Sequence, residues 1–157
     1  MTPIIKIPFK ILIQLREYGK ENDNNEVGGL LLGRIEKDEE EIIYQVGKFS
    51  AIPNIGHKDI RIDYQLDPTS VYRVLKHTTV FNPSELLDFV GIFHTHPFNK
   101  PVPSKTDVEY ARYKAFYLIY SPLYDDFGSF YSYGSDEHAI DMMGQKNFER
   151  GRIILSN

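Results

Sequence analysis

The chain has 157 residues, 41% of them hydrophobic and 25% charged, a balance that lets a globular core form without covalent staples. Its net charge is −4, its pI is near 5.7 and it has no basic run, so no nucleic-acid surface is expected. The absence of cysteine excludes disulfides and thiolate metal ligands, and Met1 leads into an amphipathic segment with no signal peptide or membrane-length apolar run, so one cytoplasmic domain over 1–157 without a membrane partner is expected.

Pro8 suits a first helical turn, and Phe9, Leu12, Ile13 and Leu15 supply an apolar stripe running to Gly19, read as the helix stop. A polar connection over 20–25 leads to an apolar run at 27–35, short enough for a buried strand. Gly28, Gly29 and Gly33 inside it predict close approach of another backbone or a ligand. An acidic turn over 36–41 precedes a second strand at 42–52, paired with the first as a hairpin. The loop at 53–58 carries His57, a lone histidine read as a surface residue. Ile60, Ile62 and Tyr64 alternate with charged residues as in a half-buried strand. Asp67-Pro68 caps and opens a helix to about position 79, with Val71, Val74 and Leu75 inward and His77 outside any ligand set. Residues 89–93 form a buried strand, 104–114 a helix, 115–120 a strand and 122–128 a loop. Strand-like stretches follow at 130–133, 139–143 and 152–155, with His138 a structural residue in a turn-rich region. Strands interleaved with three helices predict a mixed sheet covered on both faces.

The chemistry gathers after residue 93. A strand sends residues i and i+2 to one face, so His94 and His96 can aim at the same ion while Thr95 points away. Pro97 ends the strand, Pro101 and Pro103 stiffen the loop, and Ser104 caps a helix whose first turn holds Asp107. Two imidazoles and a carboxylate can therefore converge with a fourth position left for water, as in a catalytic zinc site. The same residues have plainer readings. Ser-x-x-Asp at a helix start resembles a capping box, and paired strand histidines can be packing groups that hydrogen-bond locally.

His94-x-His96, seven residues, Ser104, two residues and Asp107 together resemble the motif of the JAMM (also MPN-plus or JAB) metalloproteases. That family adds an upstream glutamate, and Glu26 in Glu26-Val27-Gly28-Gly29-Leu30-Leu31-Leu32-Gly33 looks like its Glu-bearing strand. The resemblance runs from the first helix to the strand after the motif helix, and no motif position departs from the pattern. It implies an α/β (α+β) fold, a curved mixed sheet like that of cytidine deaminases flanked by about three helices. It also implies one zinc ion per chain held by His94, His96 and Asp107, with water as fourth ligand. Glu26 would then be the general base and Ser104 the donor to the oxyanion. Glu85, in a loop, and Glu109, on a different helix face from Asp107, fit the base less well.

The function implied is hydrolysis of the amide or isopeptide bond after the C-terminal tail of a ubiquitin-like protein, in deconjugation or precursor processing, with the tail laid beside a sheet edge. The chain looks like the stand-alone prokaryotic members, some of which belong to bacterial ubiquitin-like conjugation or CBASS anti-phage operons. A second class is a hydrolase releasing an amino acid from a sulfur-carrier protein adduct. A third is a non-catalytic MPN scaffold, but such relatives lose the motif and all five residues stand here. The nucleoside deaminases share the fold type and need a Pro-Cys-x-x-Cys zinc partner, which a chain without cysteine cannot supply.

Overall fold

In a computed structural model describing residues 3–56, 64–109, 111, 113–134, 148–150 and 152–156, the first element is a strand, not a helix. β1 (Pro3–Pro8) buries Ile4, Ile5 and Ile7, so both of its faces are apolar and the alternation that would announce a strand is missing. Pro8 is the N-cap of α1 (Phe9–Glu21). Leu15 of that helix is wholly buried, while Phe9 and Ile13, both expected on the inner stripe, are exposed. Gly19 does not stop α1. It lies inside the helix where a Cβ would come within 2.5 Å of the Tyr120 ring, so its lack of a side chain lets α1 settle onto the sheet. The stop comes at Asn22, whose Nδ2 donates to the Tyr18 carbonyl at 2.8 Å.

β2 (Gly28–Lys37) and β3 (Ile42–Ile52) form the expected hairpin, with the acidic turn between them. α2 (Pro68–Leu75) starts at the Asp67 cap but ends sooner than its apolar spacing predicts. Bonds from His77 N to Val74 O and from Thr78 N to Leu75 O tighten the chain out of the helix, and the Thr78 hydroxyl takes the Leu75 carbonyl as well. β4 (Asp88–Thr95) is followed by α3 (Lys105–Glu109), a single turn rather than the helix to 114. The chain leaves it early because β5 (Lys114–Ser121) must already pair with β6 (Asp126–Tyr133) from Lys114 opposite Tyr133. β6 begins within the stretch expected to be loop, and the turn joining the two strands is only residues 122–125. β7 (Phe148–Arg150) was not anticipated, and β8 (Arg152–Ser156) matches the last expected strand. The stretch expected at 139–143, most of that at 60–64, His57 and His138 lie outside the described residues. Tyr64 is described and is not in a strand.

Among the described residues the strands make one sheet in the order β7-β6-β5-β4-β2-β3-β1-β8. It is mixed: β1 runs parallel to β3 and β8, and β4 parallel to β5, while the other pairs are antiparallel. Alternate side chains feed two cores. Leu31, Phe93, Phe116, Leu118 and Tyr120 join Leu15 of α1 on one face; Leu30, Leu32, Ile92, Tyr117 and Ile119 join Val71 and Leu75 of α2 on the other. Register shifts beside Leu32 leave one extra residue in each partner strand, Gly47 in β3 and Val90 in β4, and bend those strands. The sheet curls far enough that Tyr44 on β3 and Tyr131 on β6, with three strands between them in the order, share a hydrogen bond of 2.7 Å. No helix of the described residues is long and apolar enough to cross a membrane.

Candidate metal centre

Parallel pairing of β4 with β5 carries His94 to the end of the sheet, where it stands opposite Gly28 on one side and Ile119 on the other. Gly28 is required there, since a Cβ at that position would lie 2.0 Å from the Phe93 carbonyl oxygen and 2.9 Å from the His94 Cα. One residue past the strand, His96 is still held in register by its N–H, which donates to the Tyr120 carbonyl at 2.8 Å. Both imidazoles emerge on the α2 side of the sheet, and both are buried.

Thr95 faces the other way, toward α1, and fastens the segment before β2. Its N–H donates to the Val27 carbonyl at 2.9 Å, and its hydroxyl accepts from Val27 N at 3.0 Å. Glu26 is thereby brought beside the histidines although 68 positions separate Val27 from Thr95. It is only 7% exposed, with Oε1 4.0 Å from His96 Nε2.

Ser104 and Asp107 form a reciprocal cap at the start of α3. Asp107 N donates to Ser104 Oγ at 3.0 Å, and Ser104 N donates to Asp107 Oδ2 at 2.8 Å. The capping role does not use up the carboxylate. Its Oδ1 lies 3.2 Å from His94 Nε2 and its Oδ2 lies 3.0 Å from His96 Nε2, while the two Nε2 atoms are 3.1 Å apart. The Ser104 hydroxyl, accepting from an N–H, keeps its proton to donate elsewhere.

These distances test whether a metal ion fits. Ligands on a tetrahedral zinc at 2.0–2.1 Å lie about 3.3 Å from one another, close to the triangle formed by His94, His96 and Asp107. His96 Nδ1 donates to the Lys100 carbonyl at 3.0 Å, which turns the lone pair of Nε2 toward the triangle. Two imidazole nitrogens and both oxygens of a carboxylate meeting this closely call for a positive charge among them. Glu26, His94 and His96 also offer atoms within 4.8 Å of one another, so both carboxylates are candidates for the third ligand. Asp107 is the nearer, and Glu26 stands one step back.

The electrostatics agree. Burial alone would raise the Asp107 carboxyl, but the charge and hydrogen bond of His94, the hydrogen bond of His96 and the Ser104 N–H hold it well below the usual carboxylate range. Burial works against a proton on His96, yet Asp107, the Lys100 carbonyl and the charge of Glu26 together raise its pKa. The centre is built to hold positive charge.

Around it stand residues that sequence spacing did not single out. The Tyr64 ring stacks on His94, with centroids 6.2 Å apart and planes 5° from parallel. Asn54 donates from Nδ2 to the Glu26 carbonyl at 2.9 Å. The Lys100 contact is made by main chain, which leaves no trace in side-chain identity. The only sequence signal at Asn54 was Pro53-Asn54, an ordinary turn pair. His77 is exposed on the stretch after α2, and Glu85 sits in the turn before β4.

The family model described as prokaryotic homologs of the JAB domain matches residues 8–133 of the chain, a span that holds every element of the centre. The chain belongs to the prokaryotic JAB-domain family. Its fold is the curled mixed sheet with three helices expected of a JAB domain. A Haloferax volcanii protein named desampylase is 33% identical over 113 residues, which are 71% of this chain and 73% of that protein. Among solved structures, a protein from Desulfitobacterium hafniense superposes with a TM-score of 0.70 at 23% identity, covering 98% of this JAB domain and 94% of its own chain. One from Salinibacter ruber gives 0.60 at 22% identity, covering 97% and 92%. At that identity these two speak for the fold alone.

Proposed function

We propose that this JAB domain is a zinc-dependent isopeptidase that cuts the amide bond after the C-terminal tail of a ubiquitin-like protein. The reading is carried by the convergence of His94, His96 and Asp107 at 3.0–3.2 Å with a second buried carboxylate, Glu26, beside them. The ubiquitin-like substrate class is supported by the relative named desampylase, an enzyme named for taking off a modifier.

In this reading His94, His96 and Asp107 hold one zinc ion. Bound there, the ion would lower the pKa of water from 15.7 to about 7 and polarise the scissile carbonyl. Glu26 takes the proton of the attacking water and returns it to the leaving amine. Ser104 donates its hydroxyl proton to the oxyanion. Tyr64 shields the outer face of His94 from water. β4 is hydrogen-bonded on both sides, so an extended tail reaches the centre across the strand ends and not by pairing with β4.

The test is an assay of zinc-loaded protein against a ubiquitin-like fusion and against a carrier-protein–amino-acid adduct. Cleavage of the fusion is expected; release of the amino acid alone would move the substrate to the sulfur-carrier class. Glu26→Gln should keep zinc and lose about 10²–10⁴-fold in kcat. His94→Ala and Asp107→Ala should lose the metal. Full turnover in Glu26→Gln would assign the base to another group. The pathway, a ubiquitin-like conjugation or anti-phage operon in this proposal, is read from the neighbouring genes.

A further inference from the structure

We propose that Asn54, which lies outside the motif, is the positioning residue that sets Glu26 for proton transfer. The inference rests on the general-base role given to Glu26 above. Glu26 precedes β2, so the ladder that fixes the chain from Gly28 onward does not reach it. Among the described residues, Thr95 and Asn54 hold its surroundings. Thr95 secures the amide that follows, and Asn54 Nδ2 donates to the carbonyl of Glu26 itself at 2.9 Å.

The other end of the Asn54 amide is also engaged. Its Oδ1 accepts from Gly56 N at 2.8 Å and from Gln65 N at 3.1 Å, and its main chain bridges Leu66. One orientation of the amide meets these demands, with oxygen toward two N–H donors and NH₂ toward a carbonyl. The oxygen organises the loop, and the nitrogen joins that loop to Glu26. A proton-transferring carboxylate tolerates little displacement, since a shift of about 1 Å can cost about 100-fold in rate. The Asn54 bond restrains the peptide group from which the Glu26 side chain springs.

Asn54→Asp separates the two duties. It keeps an oxygen for Gly56 and Gln65 but sets an acceptor against the Glu26 carbonyl. The expected result is a loss of about 10–100-fold in kcat, with KM, zinc content and thermal midpoint close to those of the parent. In a Glu26→Gln background the same change should cost nothing further, because the group it positions is gone. A readout that needs no substrate is the carboxyl ¹³C resonance of Glu26 in zinc-loaded protein. It should move in Asn54→Asp and stay put in Ile55→Ala, a change at the exposed neighbour. Should Asn54→Asp fail to fold, Asn54→Ser is read in the same way, being uncharged and too short to reach Glu26. An unmoved resonance, or a kcat that falls only in step with lost zinc or lost folded protein, overturns the proposal. If no ubiquitin-like substrate is ever cleaved, the resonance still decides for Asn54, so the two readings fail separately.

Discussion

Asp107 has three partners for two oxygens: His94 on one, His96 and the Ser104 N–H on the other. The helix-cap reading of Ser104 and Asp107 therefore holds in the structure without excluding a ligand role. A carboxylate tied this way cannot rotate freely, which lowers the entropy lost when a cation arrives. Gly28 restrains the same triangle from the backbone side. Gly28→Ala must force β2 and β4 apart beside His94, because the added methyl would meet the Phe93 carbonyl. A lower thermal midpoint together with weaker zinc binding, read by competition with a chromophoric chelator, is the expected result. Unchanged zinc affinity would show that the ladder yields elsewhere. The pairing of His94 with His96 was legible because the two-residue repeat of a strand is a rigid rule. Asn54 and the Lys100 carbonyl were not, because a bond from side chain to main chain, or made by main chain alone, obeys no spacing.

Elements were legible where one face is buried and the other wet, and less so where tertiary contacts set the ends. The bounds of β3 came out as expected because turn residues flank it on both sides. The end of α1 did not, since Gly19 serves the contact with Tyr120 and not the helix stop. β1 went unread because a strand with isoleucine on both faces has no alternation to find. α1 is anchored twice: by Leu15 in the core and by Arg16, whose guanidinium grips Asp125 with two bonds of 2.7 Å. Asp125 sits at φ 48° in the turn between β5 and β6, and the Tyr120 hydroxyl donates to it at 2.6 Å. The two anchors differ in kind. Leu15→Ala should cost about 2–5 kcal/mol of unfolding free energy in denaturant melts, as wholly buried leucines do. Ile13→Ala, on the open side of the same helix, should stay within about 0.5 kcal/mol. Equal losses would mean that Ile13 packs as fully as Leu15 and that α1 buries a different face.

For the whole molecule, the curl decides where chemistry can be placed. The Tyr44–Tyr131 bond spans the core under α1, which is packed by the rings of Tyr44, Phe116 and Tyr131. The histidines emerge on the other face, at the strand ends. Because the proposed ligands come from β4 and α3, with Glu26 before β2, binding one zinc ion should tie these segments together and resist unfolding. At a free zinc concentration 100 times Kd the gain is about 2.7 kcal/mol, a rise of about 5–10 °C in Tm that a chelator reverses. No shift in a calorimetric scan would argue against a tight metal centre.

Thr95 gives the arrangement one more property. Its methyl group comes within van der Waals range of the space over Gly19, so one residue fits beneath α1 while its two neighbours serve the opposite face. Insert or delete a single amino acid between Gly91 and His94, where both ladders run without a register shift, and that parity inverts: both imidazole rings would be driven under the helix and a threonine left at the mouth. The reading frame of that stretch is thus locked, and so is the length of the turn after it, which brings the Lys100 carbonyl to His96 and leads to Ser104 and Asp107. Anyone wishing to retarget the protein should graft before β4 and leave the length from Gly91 to Asp107 alone.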